Sequence, residues 1–242
     1  MKGAVNINVR KLSIVIPAYN EEATIREVIE RVRQTPLPGL EREIIAVDDG
    51  STDWTAAILQ GLPGIKALFH ASNRGKGAAL KTGFAAATGE ILLIQDADLE
   101  YSPSDYAALL RPILDDRTDV VMGSRFASER PTFFWGKSRS PFFSHYIGNL
   151  AITGLTNLLY GHNATDYYGG YKVFKKSVID SITVDSDGFN YDNELLCKIL
   201  RREWRIMEVP IAYVPRSYAE GKKITWKDGV GILWSIVKSR FD

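Results

Sequence analysis

The chain has a single cysteine, Cys197, and only three histidines, His70, His145 and His162. The first count excludes an internal disulfide framework and a multi-cysteine zinc site. The scatter of the histidines argues against a histidine-rich metal centre, so a bound metal would rest mainly on oxygen ligands. No run reaches 18 uninterrupted apolar residues, and no helix is expected to span a bilayer. The residues before Lys11 contain no apolar stretch and do not read as a signal peptide, so the expected compartment is the reducing cytoplasm. An excess of one charge is missing too: 30 Lys and Arg stand against 29 Asp and Glu. A general nucleic-acid binder needs a larger basic excess. Internal repeats and low-complexity linkers are also absent. What is present is enough apolar material for a full core, 45% of 242 residues, which predicts one domain, or one with a small annex.

Short apolar runs alternate with helical patterns. Leu12 to Ile16, Glu43 to Val47, Ile65 to Phe69, Ile91 to Ile94 and Asp119 to Met122 read as strands. Ile25, Val28, Ile29 and Val32 recur at helical spacing after Asn20, a candidate cap, and stop before Pro36-Leu37-Pro38-Gly39. Ser51 or Thr52 caps a second helix, and Arg74 to Ala87 is a third. A fourth follows Pro103 and ends near Leu114. Gly169 to Phe174 is an expected edge strand, Asn190 to Arg202 a helix, and Thr225 to Lys238 a helix with Trp226, Val230, Leu233, Trp234 and Val237 on roughly one side. This alternation predicts an α/β sheet with helices on both faces, whose ligands bind at the C-terminal strand ends.

Three polar clusters fall at those ends: Pro17-Ala18-Tyr19-Asn20, Asp48-Asp49-Gly50-Ser51 and Asp96-Ala97-Asp98. Carboxylates one residue apart, as in Asp96 and Asp98, can share a divalent cation that neutralises a diphosphate. Aspartates also simply end strands. Asp48 and Asp49 repel each other, so one of them is expected to accept hydrogen bonds from a ribose or base. Asn73-Arg74-Gly75-Lys76-Gly77 opens a helix with glycines and two cations, a natural anion seat. Neither the phosphate loop nor the dinucleotide fingerprint has this spacing. Arg125 at another strand end suits phosphate, or a salt bridge. Arg130, Lys137 and Arg139 are interleaved with Phe133, Phe134, Trp135 and Phe142, and the basic C-terminal tail has the same flavour. Both segments allow an anionic amphiphile or a membrane surface as partner; ordinary apolar packing is the other reading. Asp192 and Glu194 open a helix, where acids favour the dipole with or without a function. Cys197 reads as a buried, inert thiol.

In order and spacing, Ser13-Ile14-Val15-Ile16-Pro17-Ala18-Tyr19-Asn20-Glu21-Glu22, Val47 to Asp53, Asn73 to Gly77 and Asp96-Ala97-Asp98 resemble the four signatures of inverting family-two glycosyltransferases. Gly123-Ser124-Arg125, Asp166 with Gly170-Tyr171-Lys172, Gly188 to Leu196 and Glu208-Val209-Pro210-Ile211 resemble the dolichyl-phosphate or polyprenyl-phosphate branch. The resemblance covers Lys11 to about Pro215.

It implies a single GT-A domain over 1–242, with a Rossmann-like, mostly parallel sheet. Residues 11–122 would form the nucleotide-sugar-binding half and 123–242 the acceptor-binding half, ending in an amphipathic helix. It implies a nucleotide-diphosphate sugar donor, Mg²⁺ or Mn²⁺, and no nucleic acid. Pro17, Ala18, Tyr19, Glu21, Asp48 and Asp49 would surround the nucleoside, with Asp49 the preferred base or ribose contact and Lys76 at the anion seat. Asp96 and Asp98 would hold the metal, helped by Glu100. Arg125 and Arg139 would bind an acceptor phosphate. A polyprenyl phosphate acceptor is the expected one, reached by a peripheral protein on the cytoplasmic face of a membrane. Its oxygen is already anionic, so no strong base is needed. A glycan or small-molecule hydroxyl is the alternative acceptor and requires a carboxylate base, for which Asp166, Asp192 and Glu194 are candidates. A nucleotidyltransferase and a non-catalytic nucleotide-sugar-binding module are the rival classes.

Overall fold

A computed structural model of the chain describes residues 11–127, 143–188, 190–214 and 226–241. Five mutually parallel strands come first along the chain: β1 (Lys11–Ala18), β2 (Glu41–Asp48), β3 (Lys66–Phe69), β4 (Ile91–Ile94) and β5 (Val120–Ser124). They join β6 (Lys172–Lys175) and β7 (Ile206–Pro210) in one sheet of order β3-β2-β1-β4-β6-β5-β7. Only β6 runs antiparallel, against β4 and β5. The expected edge strand is therefore an interior one. Tyr171, Val173 and Phe174 are buried on both sides of it, which an edge position does not provide.

The uninterrupted apolar strands follow from burial on both faces. Leu12, Ile14 and Ile16 enter one core with α1 (Ile25–Gln34), α2 (Thr55–Gln60) and α4 (Tyr106–Leu114). Val15, between them, enters the opposite core with α3 (Lys76–Ala86), α6 (Lys176–Asp180) and α7 (Tyr191–Arg201). The period-two pleat sends alternate side chains to opposite layers. Each fully buried Ile or Leu contributes roughly 1.5–3 kcal/mol. A smaller core of Ile152, Cys197, Ile232 and Ile236 joins α7 to α5 (Phe143–Tyr160) and α8 (Trp226–Phe241). Among the described residues no helix is long and apolar enough to cross a membrane.

Two helix starts differ from expectation. Asn20 does not cap α1. It takes a left-handed φ of +53°, and its Oδ1 accepts from Thr52 N at 2.8 Å. Ser51 and Thr52 do not cap α2 either: Ser51 Oγ accepts from Asn20 N at 2.9 Å, and α2 begins at Thr55. These polar residues tie the ends of β1 and β2 to each other, because a partner across the rim competes with the local helix.

Candidate active site

The strand order reverses about β1, which has β2 on one side and β4 on the other. A crevice opens at the C-terminal end of such a point. The clusters after β1, β2 and β4 surround it. Two of the four non-glycine residues with positive φ among the described residues, Asn20 and Leu99 at +61°, lie in its loops. Such strain persists where the surroundings over-determine the backbone, and functional loops are where it collects.

Asp48 and Asp49, adjacent and both buried, have opposite surroundings. Asp49 accepts from Arg74 N at 3.1 Å, Gly75 N at 2.7 Å and His70 Nδ1 at 2.6 Å, while His70 Nε2 meets Thr82 Oγ1 at 2.9 Å. Gly50 makes this closure possible. It sits at φ +71°, and a Cβ there would stand 2.4 Å from the Ser72 carbonyl carbon. Asp49, the expected base or ribose contact, thus has both oxygens engaged in holding the entry to α3. Asp48 Oδ2 accepts from Ser51 N at 3.2 Å, whereas its Oδ1 is buried with no partner among the described residues. The atom suited to an incoming N–H is therefore on Asp48. Beside it, Ala18 and Glu21 are buried and Pro17 and Tyr19 half-buried. Glu21 N donates to Thr55 Oγ1 at 2.8 Å, and its Oε2 accepts from Thr24 Oγ1 at 3.1 Å.

The acidic loop after β4 meets the start of α3. Lys76 Nζ donates to Asp96 Oδ1 at 2.7 Å and lies 3.8 Å from Asp192 Oδ2. Lys172 Nζ, buried, donates to Gly169 O at 2.9 Å and lies 3.7 Å from the same Asp192 oxygen. Burial alone would lower the Lys76 pKa, but Asp96 and Asp192 outweigh it and hold the ammonium well above its ordinary value. For Asp192 burial pushes upward, and the two ammoniums win and hold it below the usual carboxylate range. Asp192 Oδ1 is buried and has no hydrogen-bond partner among the described residues. Asp98 Oδ1 accepts from Glu100 N at 3.1 Å, an Asx-type turn that brings Glu100 beside the pair.

Half-buried Arg125 and fully buried Asp166 form a two-pronged ion pair. Nε reaches Oδ2 at 2.8 Å and Nη2 reaches Oδ1 at 3.0 Å. The guanidinium stacks 5.2 Å from the Tyr213 ring and 5.3 Å from Phe126. Burial would raise the Asp166 pKa, but the Arg125 charge and hydrogen bonds hold it low. Both Asp166 oxygens are engaged, by Arg125 and by the backbone N–H of Arg125 and Tyr168, so no oxygen is left for an incoming proton and Asp166 becomes the group that positions Arg125. Glu194 is engaged too. It accepts from Asp185 N at 2.8 Å, Ser186 N at 2.9 Å, Ser186 Oγ at 2.6 Å and Lys198 Nζ at 2.6 Å. Burial opposes ionisation there, yet these bonds pull it down to about 2. Of the three expected bases, only Asp192 shares ion pairs with the Asp96 cluster. Arg139, with the interleaved segment from Arg130 to Phe142, lies outside the described residues.

No site role was expected for Lys172, His70 or Gly170, although Gly170-Tyr171-Lys172 entered the family resemblance. A lysine between Tyr171 and Val173 in an apolar strand was the available signal for the first. Gly170 is spatial information: a Cβ there would stand 2.4 Å from Asp96 Oδ2. Among the described residues no three His, Cys, Asp or Glu side chains are already gathered as a metal cage. The donor set still suits a hard cation, since Asp96, Asp98 and Glu100 offer only oxygen and Gly170 leaves room beside Asp96. A positive charge already stands on Asp96, in the form of Lys76.

The family model described as Glycosyl transferase family 2 matches residues 13–183. The chain belongs to glycosyl transferase family 2. Its relatives divide by acceptor. It is 29% identical over 216 residues to a dolichol-phosphate mannosyltransferase of Pyrococcus furiosus, covering 88% of this chain and 59% of that protein. It is 29% identical over 245 residues to a UDP-N-acetylglucosamine–dolichyl-phosphate N-acetylglucosaminyltransferase of Methanococcus voltae, covering 93% and 94% of the two chains. Among solved structures it resembles glucosyl-3-phosphoglycerate synthase of Mycobacterium tuberculosis, crystallised with Mn²⁺, UDP and phosphoglyceric acid. That match has a TM-score of 0.70 and 22% identity, and covers 96% of this chain and 79% of the other. The fold is GT-A, and the chain is a glycosyltransferase.

Proposed function

We propose that the chain transfers a hexose from a nucleoside diphosphate sugar to a hydroxyl of a glycan or small molecule, with inversion at the anomeric carbon. The observation that carries the acceptor is Asp192. It is kept ionised by Lys76 and Lys172, and its buried Oδ1 lacks a partner among the described residues. A hydroxyl entering there would donate to that oxygen and lose its proton to it as the new bond forms. Arg125, locked by Asp166, gives the acceptor side a fixed positive charge. With Nε and Nη2 already engaged, it is poorly free to clasp a phosphate by two prongs.

On the donor side Pro17, Ala18, Tyr19, Glu21 and Asp48 would surround the nucleoside, with Asp48 Oδ1 accepting from the base. Asp49 would keep the α3 entry in place. Asp96, Asp98 and Glu100 would hold Mg²⁺ or Mn²⁺, which, when bound, offsets the charge developing on the leaving diphosphate. Lys76 and Lys172 add positive charge at the same rim, fixed before the reaction begins.

A polyprenyl or dolichyl phosphate is the second reading, favoured by what the Pyrococcus and Methanococcus relatives are named for. Its anionic oxygen needs no base, so the two readings part at Asp192. The test offers UDP- and GDP-sugars with soluble hydroxyl acceptors and, separately, with short polyprenyl phosphates. On a hydroxyl acceptor, Asp192→Asn should lower kcat by about 10²–10⁴ with donor KM unchanged. Asp98→Ala should stop transfer to either acceptor. Wild-type activity on polyprenyl phosphate alone, undiminished in Asp192→Asn, would replace the first reading with the second. A folded protein that binds no nucleotide sugar would remove both.

A further inference from the structure

We infer that α5 and α8 together form a docking face for an anionic lipid bilayer. The inference stands on the outer surface of these helices and not on the choice of acceptor. Ten large hydrophobic side chains are exposed among the described residues, and six of them lie on these two helices. That concentration marks a patch rather than the ordinary scatter of surface apolar groups. On α8 the exposed residues are Leu233, Trp234, Val237 and Phe241, with Trp234 at 69% and Phe241 at 80%. On α5 they are Leu150, Ala151, Gly154 and Leu158, with Leu158 at 80%. Each set has the spacing i, i+1, i+4, i+8, which falls within one sector about 100° wide.

The two helices lie side by side. Tyr160 Oη donates to Ile236 O at 2.9 Å, and Arg240 Nε donates to Leu159 O at 2.9 Å. Ile152 on α5 and Ile232 and Ile236 on α8 enter the same small core. Each apolar stripe lies on the side of its helix turned away from those core residues. The buried side of α8 approaches the segment before Asp192: a Cβ at Gly231 would stand 3.4 Å from the Asn190 amide nitrogen.

Charge selects the partner. Over Phe143–Tyr160 there is no Asp, Glu, Lys or Arg. Along α8, Lys227, Lys238 and Arg240 stand against Asp228 alone. An exposed stripe of tryptophan, phenylalanine and leucine beside cations is the composition of a helix lying in the headgroup region of anionic lipid. A protein partner would also cover apolar area, but nothing in the face offers it the opposite charges that set register.

The test is co-sedimentation with phosphatidylcholine vesicles, with and without phosphatidylglycerol, at low and high salt. The wild-type protein should bind the phosphatidylglycerol vesicles, release partly in high salt, and bind pure phosphatidylcholine more weakly. Trp234→Asp with Phe241→Asp should lower vesicle affinity by at least about tenfold, with nucleotide diphosphate binding unchanged. Trp54→Asp, another exposed tryptophan far along the chain, should bind vesicles like wild type. A folded wild-type protein that stays in the supernatant in every arm would overturn the inference. So would a double variant that binds as tightly as wild type. A concentration-dependent dimer that the double variant abolishes, without vesicle binding, would assign the face to a second copy instead.

Discussion

The two sides of the rim stabilise their carboxylates by different means. On the proposed donor side, Asp49, Asp48 and Asp98 accept from backbone N–H groups of Gly75, Ser51 and Glu100. On the proposed acceptor side, Asp166 and Asp192 face side-chain cations, Arg125 for the first and Lys76 and Lys172 for the second. A backbone donor is delivered by a turn, so its geometry is set locally. A cation on a long side chain is delivered by tertiary packing, and the cost of removing its partner is a stranded charge. Lys76, ion-paired to both Asp96 and Asp192, is where the two schemes meet.

The largest effect should come from stranding the charge. Asp166→Ala leaves the half-buried Arg125 guanidinium without its counter-ion and should cost up to about 3–5 kcal/mol of stability, read by urea unfolding. Arg125→Met in the same chain should recover much of that loss. A full loss retained in the double variant would show that Asp166 acts through its bonds to backbone and not through the cation.

A smaller loss, about 1–3 kcal/mol, is expected for Asp49→Ala, which leaves the N–H groups of Arg74 and Gly75 and the His70 ring without their acceptor. Nucleotide binding should weaken with it, because the entry to α3 loosens. A loss larger than that of Asp166→Ala would invert the comparison between the two sides.

Glu194 sharpens it further, since it combines both schemes, two backbone N–H groups and Lys198. Its pKa falls from 4.5 to about 2 on folding. A depressed carboxylate contributes stability above its unfolded pKa and loses it as pH drops through the folded one. Wild-type stability should therefore fall between about pH 4.5 and about pH 2, and Glu194→Gln should flatten that part of the profile while lowering stability at neutral pH. An unchanged acid limb in the variant would place the titration elsewhere.

How much was legible follows the same division. The strands before Asp48 and Asp96, the glycine turn at Gly50 and the cation-bearing start of α3 are local patterns, and their places at one sheet end follow from β-α alternation. That Asp48 and Asp49 would differ in role was legible from their mutual repulsion. Which of them keeps an open oxygen was not, because His70 arrives 21 residues later along the chain. Asp192 and Glu194 are two residues apart on one helix and read alike as first-turn acids. Only packing against Lys172 and Lys76 on one side, and against the 185–186 backbone on the other, separates them.

The amino-acid sequence by itself determined the α/β class, the family, the rim clusters and the apolar stripe on the last helix, because turn chemistry and hydrophobic period act over a few residues. The tertiary structure alone decided that β6 is interior and antiparallel, that Asp166 serves Arg125, and that, of Asp166, Asp192 and Glu194, it is Asp192 that keeps an oxygen unpartnered among the described residues. Those outcomes depend on which charges packing brings within a few ångströms, and a buried charge takes its properties from such neighbours rather than from its own place in the chain.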